Sequence, residues 1–175
     1  MSDRPTLGFK DLTLENWTQA DPVMGVFGGD DPGAGGVQPL RQDRWARRVL
    51  ASDLTSAVPR HIRQLFAVAR GAMLYASFDY PNMTLAAEQL YRVVDAALAA
   101  RMPHLNSRLT FAERIEAAIA DGIIPSRDRR RWDATRRLRN IASHPERQAI
   151  YPPGMALTSL EIATEQINGL FDRTS

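Results

Sequence analysis

Arg139, Asn140 and His144 are the residues of this chain whose types and spacing could do chemistry, and they fall in the string RNIASH near the end of an arginine-rich stretch, RDRRRWDATRRLRNIASHPER, residues 127–147. A guanidinium holds a phosphate through paired N–H donors. An imidazole with an unperturbed pKa near 6.5 serves as base or acid, and an amide can orient a backbone or a reacting group. Pro145 follows His144 and disfavours the α conformation there, so the helix is expected to stop at Ser143 or His144. Were it to continue, Arg139 and His144 would stand about 140° apart around its axis; termination lets the imidazole turn back toward the guanidinium. The same residues have a use that involves no reaction, because cations at a helix C-terminus satisfy the last carbonyls and the helix dipole.

The elements that must position these residues read as helices. Between Pro59 and Ser77 the apolar residues Ile62, Leu65, Phe66, Ala69, Met73 and Ala76 follow helical spacing, with Arg60, Arg63 and Arg70 toward solvent. From Thr84 to Arg101 the stripe is Ala87, Leu90, Tyr91, Val94, Ala97 and Leu98, with Glu88, Arg92 and Asp95 opposite. Thr110 and Glu113 form a capping box for a helix burying Phe111, Ile115, Ala118 and Ile119, and Gly122 suits its C-terminal end. Ser126 is placed to cap the basic helix, which buries Trp132, Thr135, Leu138 and Ala142 and leaves Arg139 near the edge of that stripe. A second capping box, Thr158 and Glu161, opens a last helix with Leu160, Ala163, Ile167, Leu170 and Phe171 inward. A shorter helix, Asp43–Ser52, would turn Trp45, Val49 and Leu50 inward. With no convincing alternation of strand type, the expected fold is all-α, an antiparallel up-and-down bundle of four to five main helices.

Residues 1–42 read differently. Gly and Pro recur in GVFGGDDPGAGGVQP, so this part is expected to be an extended or loosely ordered arm ahead of a bundle domain over 43–175. Its glycines do not make a phosphate loop: no GK[ST] follows, no GxGxxG is present and no strand pattern precedes them. Phe9, Leu12, Leu14 and Trp17 are apolar enough to pack on the domain or on a neighbouring subunit.

The 175 residues, 44% of them hydrophobic, suffice for one core. Net charge is only +2, yet residues 127–147 hold eight arginines against Asp128, Asp133 and Glu146. Lys10 is the sole lysine, so positive charge is nearly all guanidinium. Cysteine is absent, which removes disulfides and thiolate metal sites. The three histidines His61, His104 and His144 are scattered, which argues against structural zinc. No apolar run approaches the length of a membrane span and no signal-peptide pattern opens the chain, so a cytoplasmic location without membrane partners is the expectation.

The sequence LRNIASHPE at the end of the penultimate long helix of an all-α bundle resembles the HEPN superfamily, whose signature is Arg, then preferably Asn, Asp or His, then His four to six residues after the Arg. Arg139, Asn140 and His144 fill those positions, and the helix order extends the likeness loosely over residues 60–172. The resemblance implies a metal-independent, cofactor-free endoribonuclease acting as a homodimer, its two motifs meeting across the interface. His144 and its symmetry mate would supply base and acid, Arg139 and its mate would hold the phosphate, and Asn140 would orient the backbone or the scissile group. Arg131, Arg136 and Arg137 would attract RNA phosphates regardless of sequence. Glu88 or Asp95 could orient Arg139. The setting so implied is a toxin of a toxin–antitoxin pair or an anti-phage component, neutralised by a nucleotidyltransferase-like partner. Two other readings remain: a non-catalytic dimerisation or partner-binding bundle, and a nucleic-acid binder without chemistry.

Overall fold

The computed structural model describes residues 10–31, 36–105, 108–142 and 151–172. The protein is an all-α helical bundle built from α1 (Pro22–Val26), α2 (Gln42–Ala51), α3 (Arg60–Tyr75), α4 (Asn82–Arg101), α5 (Phe111–Ala120), α6 (Arg129–Ala142) and α7 (Pro153–Phe171). A 3₁₀ turn, Ser126–Asp128, leads into α6. One short antiparallel hairpin, β1 (Gly28–Asp31) with β2 (Gly36–Pro39), is appended to the helices, pairing Gly28 with Pro39 and Asp31 with Gly36.

The helices α4 and α7 form the centre. Buried positions form a broad face on α4, from Met83, Ala86 and Ala87 through Leu90, Val93 and Val94 to Ala97 and Leu98, with Leu85 and Arg92 exposed on the opposite side. The same holds for α7, buried from Ala156 to Leu170 with Glu161 and Glu165 outward. A wide apolar face must be covered by several neighbours: α3, α5 and α6 pack on α4 while α2 lies against α3 and α7. Trp45 of α2 is fully buried, and its indole N–H donates to the Met73 carbonyl at 2.9 Å. Leu50 and Leu65, expected inward, face solvent; Val49 and Phe66 beside them take the core positions, because each helix packs through a stripe narrower than its apolar content. Leu65, Val68 and Tyr75 thus leave an exposed apolar stripe along α3.

The helix ends show what local chemistry decides. Thr110 and Glu113 form the expected capping box on α5, and hydrogen bonds from Thr110 hold the Glu113 carboxyl below its ordinary pKa. The opposite end of α5 turns through Gly122 at φ +72°, a left-handed conformation that glycine adopts without strain, and the Ile124 N–H reaches back to the Ala118 carbonyl at 3.0 Å. Two expected caps are displaced. Ser126 opens the 3₁₀ turn rather than α6, behind Pro125. Thr158 lies inside α7, which begins five residues earlier at Pro153, a favoured first-turn residue.

The segment before α2 is more structured than its Gly/Pro content suggests. Asp21 is buried; its carboxylate accepts N–H groups from Val23 at 3.0 Å and Tyr80 at 2.8 Å, which caps α1 and joins it to the turn before α4. Met24 enters the core. Lys10 donates to the carbonyls of Gln19 and Phe78 at 2.8 and 2.7 Å. The hairpin strands, GGDD and GVQP, pair through their backbones and carry no alternation in sequence to read. Leu12, Leu14 and Trp17 stay exposed instead of packing on the domain, because residues 13–17 close a turn on themselves through Trp17 N–H to Thr13 O; Phe9 lies outside the described residues.

A buried hydroxyl cluster joins α4 to the start of α7. Tyr80 donates to the Tyr151 carbonyl at 3.1 Å, the Tyr91 and Tyr151 hydroxyls share a hydrogen bond of 3.1 Å, and Tyr91 lies 3.4 Å from Ser159. Burial, then the bond to Tyr91, pushes the Tyr151 hydroxyl far above the ordinary phenol pKa. Among the described residues, no helix is long and apolar enough to cross a membrane.

Candidate functional site

The arginine-rich helix is fastened to its neighbours by its own arginines. Arg129 pairs with Glu116 of α5, Arg131 with Glu165 of α7, and Arg139 with Asp95 of α4 at 3.7 Å. Arg136 pairs within the helix with Asp133 at 3.5 Å. The buried side of α6 carries Trp132 and Thr135, with Leu138 partly buried. Thr135 lies 3.1 Å from the buried Gln166 amide of α7. The Ala142 side chain lies outside the described residues.

Around Arg139 three helices converge. Its guanidinium carbon stands 5.5 Å from the centroid of the Phe111 ring, within cation–π range. Phe111 is the first residue of α5 and is fixed there by the capping box. The Asp95 carboxylate accepts from Arg114 Nε of α5 at 3.0 Å through the same oxygen that makes that ion pair, and its other oxygen faces Arg139. Side-chain exposures of 14% for Arg114, 19% for Asp95 and 36% for Arg139 rank how firmly each is held. One carboxylate lies between the two guanidiniums and fixes how they stand relative to each other.

Of the residues singled out from the sequence, Arg139 and Asn140 are adjacent in the last turn of α6, the first half-buried and the second exposed. His144 falls in 143–150, outside the described residues, and with it the expected stop at Ser143 or His144 and the turn at Pro145. Of the two acidic residues considered beside Arg139, Asp95 stands 3.7 Å from it, whereas Glu88 stands close enough to Tyr151 to raise its pKa. Among the arginines expected to meet RNA, Arg131 and Arg136 are engaged by carboxylates, and Arg137 is exposed without a partner among the described residues.

Arg114 is the contributor that sequence patterns passed over. Its signal was present: the capping box fixes Phe111 and Arg114 three residues apart on one side of α5, and both meet Arg139 or its partner. The cleft between α6 and α7, about 110 Å³ and lined by Arg131, Trp132, Glu165 and Gln166, is separate from Arg139. Among the described residues, no three His, Asp or Glu side chains gather as a metal site would require. No family model, curated protein or solved structure matches the chain.

Proposed function

We propose that the protein is a metal-independent endoribonuclease of HEPN type that acts as a homodimer, with Arg139, Asn140 and His144 as its reacting constellation. The observation that carries this reading is the mooring of Arg139 at the end of α6, between the Asp95 carboxylate and the Phe111 ring. An arginine needed only to finish a helix terminus gains nothing from an acidic partner and an aromatic ring on two other helices. An arginine that must meet a phosphate in one orientation does.

In the reaction, an imidazole removes the proton of an RNA 2′-hydroxyl as its oxygen attacks the adjacent phosphorus. The bond to the 5′-oxygen breaks, a second imidazole delivers a proton to that oxygen, and the products carry a 2′,3′-cyclic phosphate and a 5′-hydroxyl. Each chain offers one motif histidine, so His144 of two copies would share the base and acid roles. Arg139 would stabilise the charge of the phosphorane. The biological setting that follows is a toxin or anti-phage component restrained by a nucleotidyltransferase-like partner.

The test is incubation of purified protein with structured RNA in EDTA, comparing wild type with His144→Ala and Arg139→Ala and examining the product ends. Cyclic-phosphate ends produced by wild type and by neither variant support the reading. Intact RNA with wild type, together with unimpeded growth of cells expressing it, rejects it.

A second reading, a bundle that binds a protein partner or a second copy without chemistry, is favoured by the exposed stripe of Leu65, Val68 and Tyr75 on α3. A dimer that survives His144→Ala, forms through that stripe and never cuts RNA would decide for it.

A further inference from the structure

The arginines of the 3₁₀ turn and α6 divide by what they touch. Arg129, Arg131, Arg136 and Arg139 each have a carboxylate. Arg127, Arg130 and Arg137 are exposed, and their guanidiniums make no hydrogen bond or ion pair with any described residue. This division is spatial. Seven residues separate Arg130 from Arg137, which is about 20° short of two full turns and about 10 Å along the axis. Ala134, exposed, lies between them on the same face. Arg127 precedes Arg130 by one turn of backbone. The two flanks of the helix are neutralised by Glu116, Glu165 and Asp133, while the ridge between them keeps its charge.

We infer that this ridge, Arg127, Arg130 and Arg137, is the surface that docks the phosphate backbone of RNA, in place of Arg131 and Arg136, whose guanidiniums are already spent on carboxylates. The inference rests on the reading of the protein as RNA-directed. Charge complementarity selects the occupant: three guanidiniums in file, each able to take two phosphate oxygens, match a chain of evenly repeated monoanions. The ridge also explains how RNA would be aligned with the motif, since Arg137 stands one turn before Asn140 and Ile141, where α6 approaches its end. Trp132 is buried, so the helix offers no indole on which bases could stack; the ridge reads backbone and is indifferent to sequence.

The experiment measures binding of the full chain to a fluorescent 2′-O-methyl oligoribonucleotide, which lacks the attacking hydroxyl, across a salt series. Three variants of the protein are compared: wild type, Arg127→Gln/Arg130→Gln/Arg137→Gln, and Arg129→Gln/Arg131→Gln/Arg136→Gln. The two triples lose the same charge. Each phosphate contact contributes about 0.7 to the logarithmic salt slope for a single strand, so the ridge triple should flatten the slope by about 2. Between 50 and 200 mM salt that is roughly a 20-fold difference in how far binding weakens. The paired triple should keep the wild-type slope. Equal flattening by both triples overturns the ridge, as does competition by polyglutamate that matches RNA at equal charge. Cleavage of unmodified RNA, assayed in parallel, separates the two claims. Cutting with a slope independent of the ridge rejects the ridge alone, and ridge-dependent binding without cutting rejects the nuclease alone.

Discussion

Replacing Asp95 by asparagine removes the carboxylate that Arg114 and Arg139 share while keeping the side chain's shape. The two contacts are unequal. The bond from Arg114 is 3.0 Å long, between groups 14% and 19% exposed, whereas Arg139 stands 3.7 Å away and is 36% exposed. A charge-assisted hydrogen bond in a partly buried site is worth about 2 kcal/mol. The longer and wetter pair is screened by solvent and adds less than about 0.5 kcal/mol. Asp95→Asn should therefore destabilise the fold by about 2 kcal/mol, which for a chain of this size lowers the melting midpoint by about 4–8 °C. Urea titration followed by far-ultraviolet circular dichroism measures it. A double-mutant cycle then apportions the loss: Asp95→Asn with Arg114→Met should show a coupling of about 1–2 kcal/mol, and with Arg139→Met one below about 0.5. Under the proposed function the order reverses for cleavage, where Arg139→Met is expected to abolish the reaction and Arg114→Met to reduce it through position alone. Additive losses for Asp95 and Arg114 would refute the shared-carboxylate account, because independent sites do not couple.

Further outcomes follow from the caps and the titrating groups. Thr110→Ala breaks the capping box and should cost about 1 kcal/mol in the same urea titration. It should also loosen Phe111 beneath Arg139. Asp79 has its pKa raised first by burial and then by Asp21. A raised carboxyl stabilises the fold below its unfolded value, 3.8, and that contribution is lost as pH rises through the folded value. Asp79→Asn should therefore be more stable than wild type at neutral pH in thermal melts, and the two should converge as pH falls toward 3.8. Tyr151, raised by burial, keeps its proton in the fold after the unfolded chain has released it near pH 10. Stability should then fall as pH climbs above about 10, and in an absorbance titration Tyr151→Phe should remove a tyrosine that ionises above the ordinary phenol range.

Helices were legible wherever one face had to be apolar and the other not. The buried residues expected on α4, from Ala87 to Leu98, are buried in the structure, and the α5 cap lies where Thr110 and Glu113 placed it. Periodicity could not say which apolar residues would find a neighbour, since that depends on how many helices surround each one; Leu50 and Leu65 differ from Val49 and Phe66 only in that respect. The hairpin and α1 were illegible because the one shows only backbone pairing and the other is joined to the domain through the Asp21 carboxylate and Met24, and none of these leaves a repeat in the sequence. At the candidate site the arginines looked interchangeable. Only the Arg136–Asp133 pair follows from spacing along α6; the rest of their division into paired and unpaired sets comes from Glu116, Glu165 and Asp95 on other helices.

The attachment of Lys10 to the carbonyls of Gln19 and Phe78 has a practical consequence. As the chain's sole lysine, it is also the sole cleavage point for a protease specific to lysine. Its ammonium is held against the turn before α4, so the protease can act only when the N-terminal segment lifts away. The rate of that single cut, read by mass, becomes a clock for the opening of one local contact while the helices beneath it stay folded.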